Sequence, residues 1–256
     1  MEKTIIKLSN VSKSFGEKNI LNKLNLEVKK GESMVIIGGS GTGKSVTLKC
    51  ILGLLSIDSG TISVFDKNLE KTSSRDKQEI LKKFGMLFQG SALFDSLNVW
   101  QNISFGLIKG NRMKSKMAKE VAINKLIQVG LKADIANLFP SALSGGMQKR
   151  VALARAIATD PEIIFFDEPT TGLDPIMANV INSLIKDIVK NMGATALSIT
   201  HDIESAKKIA DKVSMLHEGK IIWTGLGNEL DSTDNKYVSQ FINGKTDGPI
   251  KIKTTQ

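Results

Sequence analysis

Eight consecutive residues, Gly38-Gly39-Ser40-Gly41-Thr42-Gly43-Lys44-Ser45, satisfy G-x-x-x-x-G-K-[ST] at every fixed position. Glycines let backbone N–H groups turn inward with no Cβ in the way. Together with the N-terminus of a following helix, those N–H groups make a nest for phosphate oxygens. The Lys44 ammonium adds a point charge for β- and γ-phosphates, and the Ser45 hydroxyl can ligate Mg²⁺. The motif needs a strand before it and a helix after it. Met34-Val35-Ile36-Ile37 reads as a buried strand, and Val46 to Leu52 continues as a helix.

Three other places carry chemistry. Asp167 closes the apolar run Ile163-Ile164-Phe165-Phe166 and is followed by Glu168. An aspartate there can hold Mg²⁺ through water, and the neighbouring glutamate can take a proton from an attacking water. The plain alternative is a pair of turn carboxylates. Ser144-Gly145-Gly146-Met147-Gln148 opens a helical run with glycines and a capping serine, which offers a second anion site. The plain alternative is a helix cap. Two such sites far apart in one chain reach one γ-phosphate only if two chains pack head to tail and share each nucleotide. His201 follows a strand and precedes Asp202, where it could contact a γ-phosphate. His217, in a predicted turn, reads as structural.

The elements that must position these groups follow from hydrophobic period. Residues 4–30 alternate in short runs (Ile6, Leu8, Val11, then Leu24, Leu26, Val28), which predicts antiparallel strands. Further strands are expected at 61–65, 84–89, 163–166 and 195–200, with a hairpin at 213–223. Residues 71–83 carry weak helical spacing, and 99–158 turn helical. Val121, Ile123, Leu126, Ile127 and Val129 are expected on one buried face, with Gly130 as the cap. Residues 176–191 read as an amphipathic helix, and 245–256 as a mobile or partner-dependent tail.

Composition narrows the class. The 256 residues are 41% hydrophobic and 24% charged, an ordinary globular balance with room for one large domain or two small ones. The charge of +9 comes from lysines spread along the chain, which argues for solvated surface and against a nucleic-acid face. Cys50 is the only cysteine, so no disulfide closes within the chain; it reads as packing. No stretch approaches the ~18 apolar residues of a spanning helix, and no apolar signal region follows Met1. The chain is therefore expected to be soluble and unexported, with any membrane role supplied by a partner.

The order of these elements resembles the ATP-binding-cassette (ABC) ATPases: phosphate loop, Gln89, Ser144-Gly145-Gly146, Asp167-Glu168, Gly172-Leu173-Asp174-Pro175, His201. The resemblance implies an α/β P-loop NTPase fold of the ABC ATPase type, with an antiparallel β subdomain and a helical signature subdomain. It implies ATP and Mg²⁺ as ligands. Phe15 would stack on adenine, where the family often has tyrosine, and Gly38 to Val46 would hold phosphates. Ser45, Gln89 and Asp167 would hold Mg²⁺, with Gln89 also sensing the γ-phosphate. Ser144, Gly145, Gly146, Met147 and Gln148 would cap the partner chain's ATP, and Asp174 would link the two sites across a homodimer. Glu168 would be the general base and His201 the γ-phosphate sensor. The chain departs from the family at Met147, usually glutamine, and at Val46, often a hydroxyl residue.

Gln89 to Trp100, Leu143 to Met147, and the end (Phe241-Ile242-Asn243-Gly244, Asp247-Gly248-Pro249) resemble more narrowly the ATPases of Mla phospholipid-trafficking transporters. That likeness implies a peripheral subunit on the cytoplasmic face of an inner membrane. It would work with an integral permease and an MCE-domain lipid-binding protein, and with no nucleic acid. Phe94, Leu97, Val99 and Trp100 would meet the permease. The expected division is an ATPase domain over 1–242, with a helical subdomain at about 90–160, and a tail over 243–256 that grips a neighbouring chain. The alternatives are the ATPase of another ABC importer or exporter, and a soluble cassette protein acting on DNA or ribosomes. The last usually carries two cassettes, long insertions or a coiled coil.

Overall fold

The computed structural model describes residues 3–251. Among the described residues the strands and α-helices follow in chain order, beginning with β1 (Thr4–Phe15), β2 (Lys18–Lys29), β3 (Ser33–Ile37), α1 (Lys44–Ile51), β4 (Ser59–Val64) and β5 (Lys67–Asn68). Then come α2 (Ser74–Leu81), β6 (Phe84–Leu87), α3 (Val99–Lys109), α4 (Ser115–Gln128), α5 (Gly145–Ala156) and β7 (Ile163–Asp167). The chain continues with α6 (Pro175–Met192), β8 (Thr195–Thr200), α7 (Ile203–Ile209), β9 (Lys212–His217), β10 (Lys220–Leu226) and α8 (Lys236–Ile242). The sequence expectations of strands and helices hold, with ends shifted by a few residues.

Two sheets form. The antiparallel one runs β2-β1-β4-β5, and the larger runs β10-β9-β3-β8-β7-β6. In the larger sheet β3 pairs in parallel with both β8 and β9, and β7 with β6 and β8; only β10 runs antiparallel, at the edge. Parallel neighbours need long crossovers, and helices supply them. Consecutive residues of a strand face opposite ways. Met34 and Ile36 accordingly join a core with β1, β2 and α1, while Val35 and Ile37 join a second core with α3 to α7. One sheet thus separates two cores. The C-terminal ends of β3, β7 and β8 emerge together, with Asp167 the last residue of β7 and Gly38 and His201 just beyond β3 and β8.

Two readings are corrected. In α4 the fully buried positions are Ala118, Ala122 and Leu126, four residues apart; Val121 and Ile123 are half-buried and Ile127 is 55% exposed. Of the expected residues Leu126 and Val129 are buried in this core, and Ala118 and Ala122 complete the face that packs on α3 and α5 in place of Val121, Ile123 and Ile127. His217 closes β9 instead of lying in the turn, with its ring 5.2 Å from that of Tyr237. The tail is tied to its own chain over its described part: the buried Gln240 amide donates to the carbonyls of Lys245 and Ile250, and its oxygen accepts from Ile250 N–H at 2.7 Å. Residues 252–256 lie outside the described residues.

Candidate functional site: a phosphate loop, two carboxylates and a histidine

Gly38, Gly41 and Gly43 all have positive φ. At Gly38 a Cβ would lie 2.3 Å from the Leu216 carbonyl oxygen, and at Gly43 it would strike the Leu21 side chain. Only glycine lets β3 turn into α1 here. Gly43 caps α1 with no side-chain hydrogen bond, so the first N–H groups of the helix keep their donors free of side-chain acceptors. Lys44 is buried and its Nζ donates to the carbonyls of Gly38 (2.7 Å) and Gly39 (3.0 Å). Burial pulls its pKa down, against the attraction of Glu168 and Asp167. Phe15, Lys18 and Ile20 share a cleft of about 250 Å³ with Gly41, Lys44, Ser45 and Val46. Phe15 is half exposed there, with the Lys13 ammonium 5.5 Å from its ring centre.

Asp167 and Glu168 are neighbours with opposite surroundings. Asp167 Oδ1 is buried with no hydrogen-bond partner. Burial pushes its pKa up, the Glu168 charge adds to this, and Lys49, Lys149 and Lys44 oppose it. A buried, unpaired carboxylate oxygen suits a cation or its water shell. Among the described residues no group of three or more His, Cys, Asp or Glu side chains is placed to hold a metal ion. Glu168 is well supplied with donors. Its Oε2 receives Thr200 Oγ1 (3.2 Å), the His201 N–H (3.4 Å) and His201 Nδ1 (2.9 Å). An Nδ1 this close to a carboxylate carries the proton, so Nε2 is left for another partner. Glu168 also sits at φ 48, a left-handed backbone that glutamate rarely adopts.

Gln89 is exposed on the loop after β6, and its carbonyl accepts from Nζ of the buried Lys149 of α5. Further along, Arg155 donates to the carbonyls of Ser91 and Ala92, both at 2.6 Å. Those two residues have positive φ, so the loop is bent where the arginine holds it. Sequence reading missed Lys149, Arg155 and Thr200. A cation three residues after Gly146 and four before the buried Leu153 was the available signal for Lys149, since a charge on an apolar helix face needs a partner.

Ser144 caps α5, accepting from Met147 N–H at 3.4 Å, and Gly146 packs on the Met177 side chain of α6. Gln148 donates to the carbonyls of Pro140 and Leu143. Among the described residues no hydrogen bond or ion pair joins 144–148 to 38–46. Asp174 caps α6, its Oδ1 accepting from Ile176 and Met177 N–H at 3.0 Å each. Of the apolar residues expected to face a permease, Val99 is fully buried and belongs to the core. Phe94 and Phe105 are exposed instead, their rings 4.7 Å apart. Among the described residues no helix is long and apolar enough to cross a membrane.

The family model for the ABC transporter matches residues 21–171. The chain is 39% identical to the intermembrane phospholipid transport system ATP-binding protein MlaF of Haemophilus influenzae, over 99% of this chain and 96% of that protein. It is 40% identical to the chloroplastic protein TRIGALACTOSYLDIACYLGLYCEROL 3 of Arabidopsis thaliana, over 96% of this chain and 76% of that one. In structure it resembles the ATP-binding cassette MJ0796, solved as a dimer in a post-hydrolysis state bound to ADP and Pi: TM-score 0.79, 32% identity, 87% of this chain and 98% of that one. The chain belongs to the ABC transporter family, as one of its ATP-hydrolysing subunits.

Proposed function

We propose that this chain powers phospholipid movement between membranes, as the ATPase of a transporter with an integral permease and an MCE-domain lipid-binding partner. One observation carries the lipid assignment: the likeness to an intermembrane phospholipid ATPase runs through 99% of the chain, tail included. On this reading the chain works at the cytoplasmic face of an inner membrane, through its permease. The exposed Phe94–Phe105 pair offers the apolar surface for that contact. Residues 1–242 act as the ATPase unit, with the helical part at about 90–160, and residues 243–256 act as a tail that contacts a neighbouring chain.

Phe15 receives adenine, and the amides and Lys44 of residues 38–46 receive the phosphates. Ser45, Gln89 and Asp167 would hold Mg²⁺, which neutralises phosphate charge when bound. Glu168, fixed by Thr200 and His201, takes the proton of the attacking water, and His201 senses the γ-phosphate. Ser144 to Gln148 complete the site of a second copy, so two nucleotides hold two chains together and Asp174 links the sites. Hydrolysis removes that link, and the opening passes to the permease.

Glu168→Gln is expected to keep ATP binding, cut hydrolysis by about a hundredfold or more, and accumulate ATP-bound dimers on gel filtration. Equal turnover would remove Glu168 from this role. The lipid reading is tested by capturing the tagged chain from native membranes in detergent. A permease with an MCE-domain protein and bound phospholipid is expected; a permease without phospholipid would overturn it.

A further inference from the structure

Behind Glu168 a run of buried polar side chains crosses from α6 to α7. Asn182 of α6 is 3% exposed, and Ser205 of α7, Thr170 and Thr200 are also buried. Asn182 Nδ2 donates to Ser205 Oγ at 2.7 Å. Ser205 Oγ–H donates to Asp202 Oδ2 at 2.6 Å. With its one proton committed to a carboxylate, Ser205 can only accept from Asn182, and the single Thr170 hydroxyl proton is shared between Ser205 Oγ at 3.1 Å and Asp202 Oδ2 at 3.4 Å. Asp202 Oδ1 meanwhile caps α7 through Glu204 and Ser205 N–H. The Asp202 N–H then donates to Thr200 Oγ1 at 3.0 Å, and Thr200 Oγ1 donates to Glu168 Oε2. Two donor runs therefore meet at Asp202: one comes from an amide in the middle of α6 and ends on the Asp202 carboxylate, the other leaves the Asp202 N–H and ends on the carboxylate beside the phosphate loop.

We propose that Asn182 and Ser205 are positioning residues that set Glu168 and His201 through Asp202 and Thr200. Four features support the assignment. The network is buried and converges on Asp202, and buried polar groups are retained at a desolvation cost that apolar residues would avoid. Asn182 Oδ1 has no hydrogen-bond partner, so its amide is not there to satisfy itself. The network flanks both sides of the residues it would set: Thr170 lies two residues after Glu168, and Asp202 directly follows His201. Lastly, Glu168 holds a left-handed backbone that needs outside support to persist. The inference rests on the reading of Glu168 as general base.

The test uses the full chain in its transporter complex, with Ser205→Ala, Asn182→Leu and the double variant. Turnover is expressed per bound nucleotide, so a fraction of unfolded protein does not count. Each single change is expected to lower kcat about tenfold through a displaced base, with KM for ATP within about twofold. The double variant should lose little more than either single one, since both act through one network. A merely structural role would lower the melting temperature and the number of binding sites but leave kcat per site unchanged, and that result overturns the proposal. Glu168→Gln runs beside them. If it stalls while Ser205→Ala keeps wild-type kcat, the network has no positioning role and Glu168 keeps its own. If Glu168→Gln turns over normally, the base assignment falls and this proposal falls with it.

Discussion

Two helices in this molecule have glycine at their first turn or cap, α1 after Gly43 and α5 from Gly145, and the two starts are built to different standards. The start of α1 is finished within one chain. Gly38 and Gly43 are pressed against Leu216 and Leu21, and the Lys44 side chain lies folded across its own loop. The start of α5 is open. Gly145 would meet nothing within 4 Å if it carried a Cβ, and Ser144 makes one long capping bond. On the proposed reading the first end is a site by itself, and the second becomes one only when a second copy arrives. That difference is what a nucleotide shared between two copies requires.

The sharpest way to break the comparison is to put the same methyl group in both places. Gly38→Ala drives a Cβ into a backbone carbonyl that cannot move aside, so we expect a loss of about 1–3 kcal/mol from overpacking and no measurable binding of a fluorescent ATP analogue. Gly145→Ala is expected to leave stability within about 0.5 kcal/mol of wild type and ATP binding to the isolated chain intact, while hydrolysis by the dimer falls about tenfold. Normal hydrolysis in Gly145→Ala would mean that no second copy's nucleotide comes to α5. Lys149→Met sharpens the comparison, because Lys149 ties α5 to the Gln89 carbonyl. Turnover should drop several-fold, within the range for a displaced ligand, with ATP affinity little changed.

The smallest effect concerns stability. Asp167 is held above its ordinary pKa by burial. A carboxyl whose pKa is raised on folding costs stability when ionised, a cost that is absent below its unfolded value and grows as pH rises through the folded value. Asp167→Asn removes it. The melting temperature should rise at neutral pH by about 2–4 °C for each kcal/mol relieved, and the gain should shrink as the pH falls toward the ordinary carboxylate range. A gain that is the same at low and neutral pH would show that ionisation is not its source. The same variant should lose hydrolysis, so the residue trades stability for function.

Most of the larger sheet was legible in the sequence, because its strands are short unbroken apolar runs closed by residues with chemistry: Ile37 before the loop, Phe166 before Asp167, Thr200 before His201. The phosphate loop was legible because its constraint is local. What escaped was contact between distant elements. Nothing near Gln89 says that Lys149, sixty positions on, will hold its carbonyl. Nothing in α4 says that alanines will outcompete isoleucine for the buried face, since the closeness of α3 and α5 decides it. Gln240 likewise reads as an ordinary helix polar residue until the chain returns at Ile250 to meet it.

The left-handed backbone at Glu168 has a consequence for how this sequence can drift. A glycine at that position would relax the turn, and an asparagine would tolerate it better than glutamate does. Selection on folding alone would therefore push position 168 away from the residue it holds. Copies of this chain released from the need to hydrolyse ATP should lose Glu168 early, and lose it toward residues at ease with positive φ. On the general-base reading of Glu168, the identity of that one residue in a diverged copy would then report whether the engine still runs.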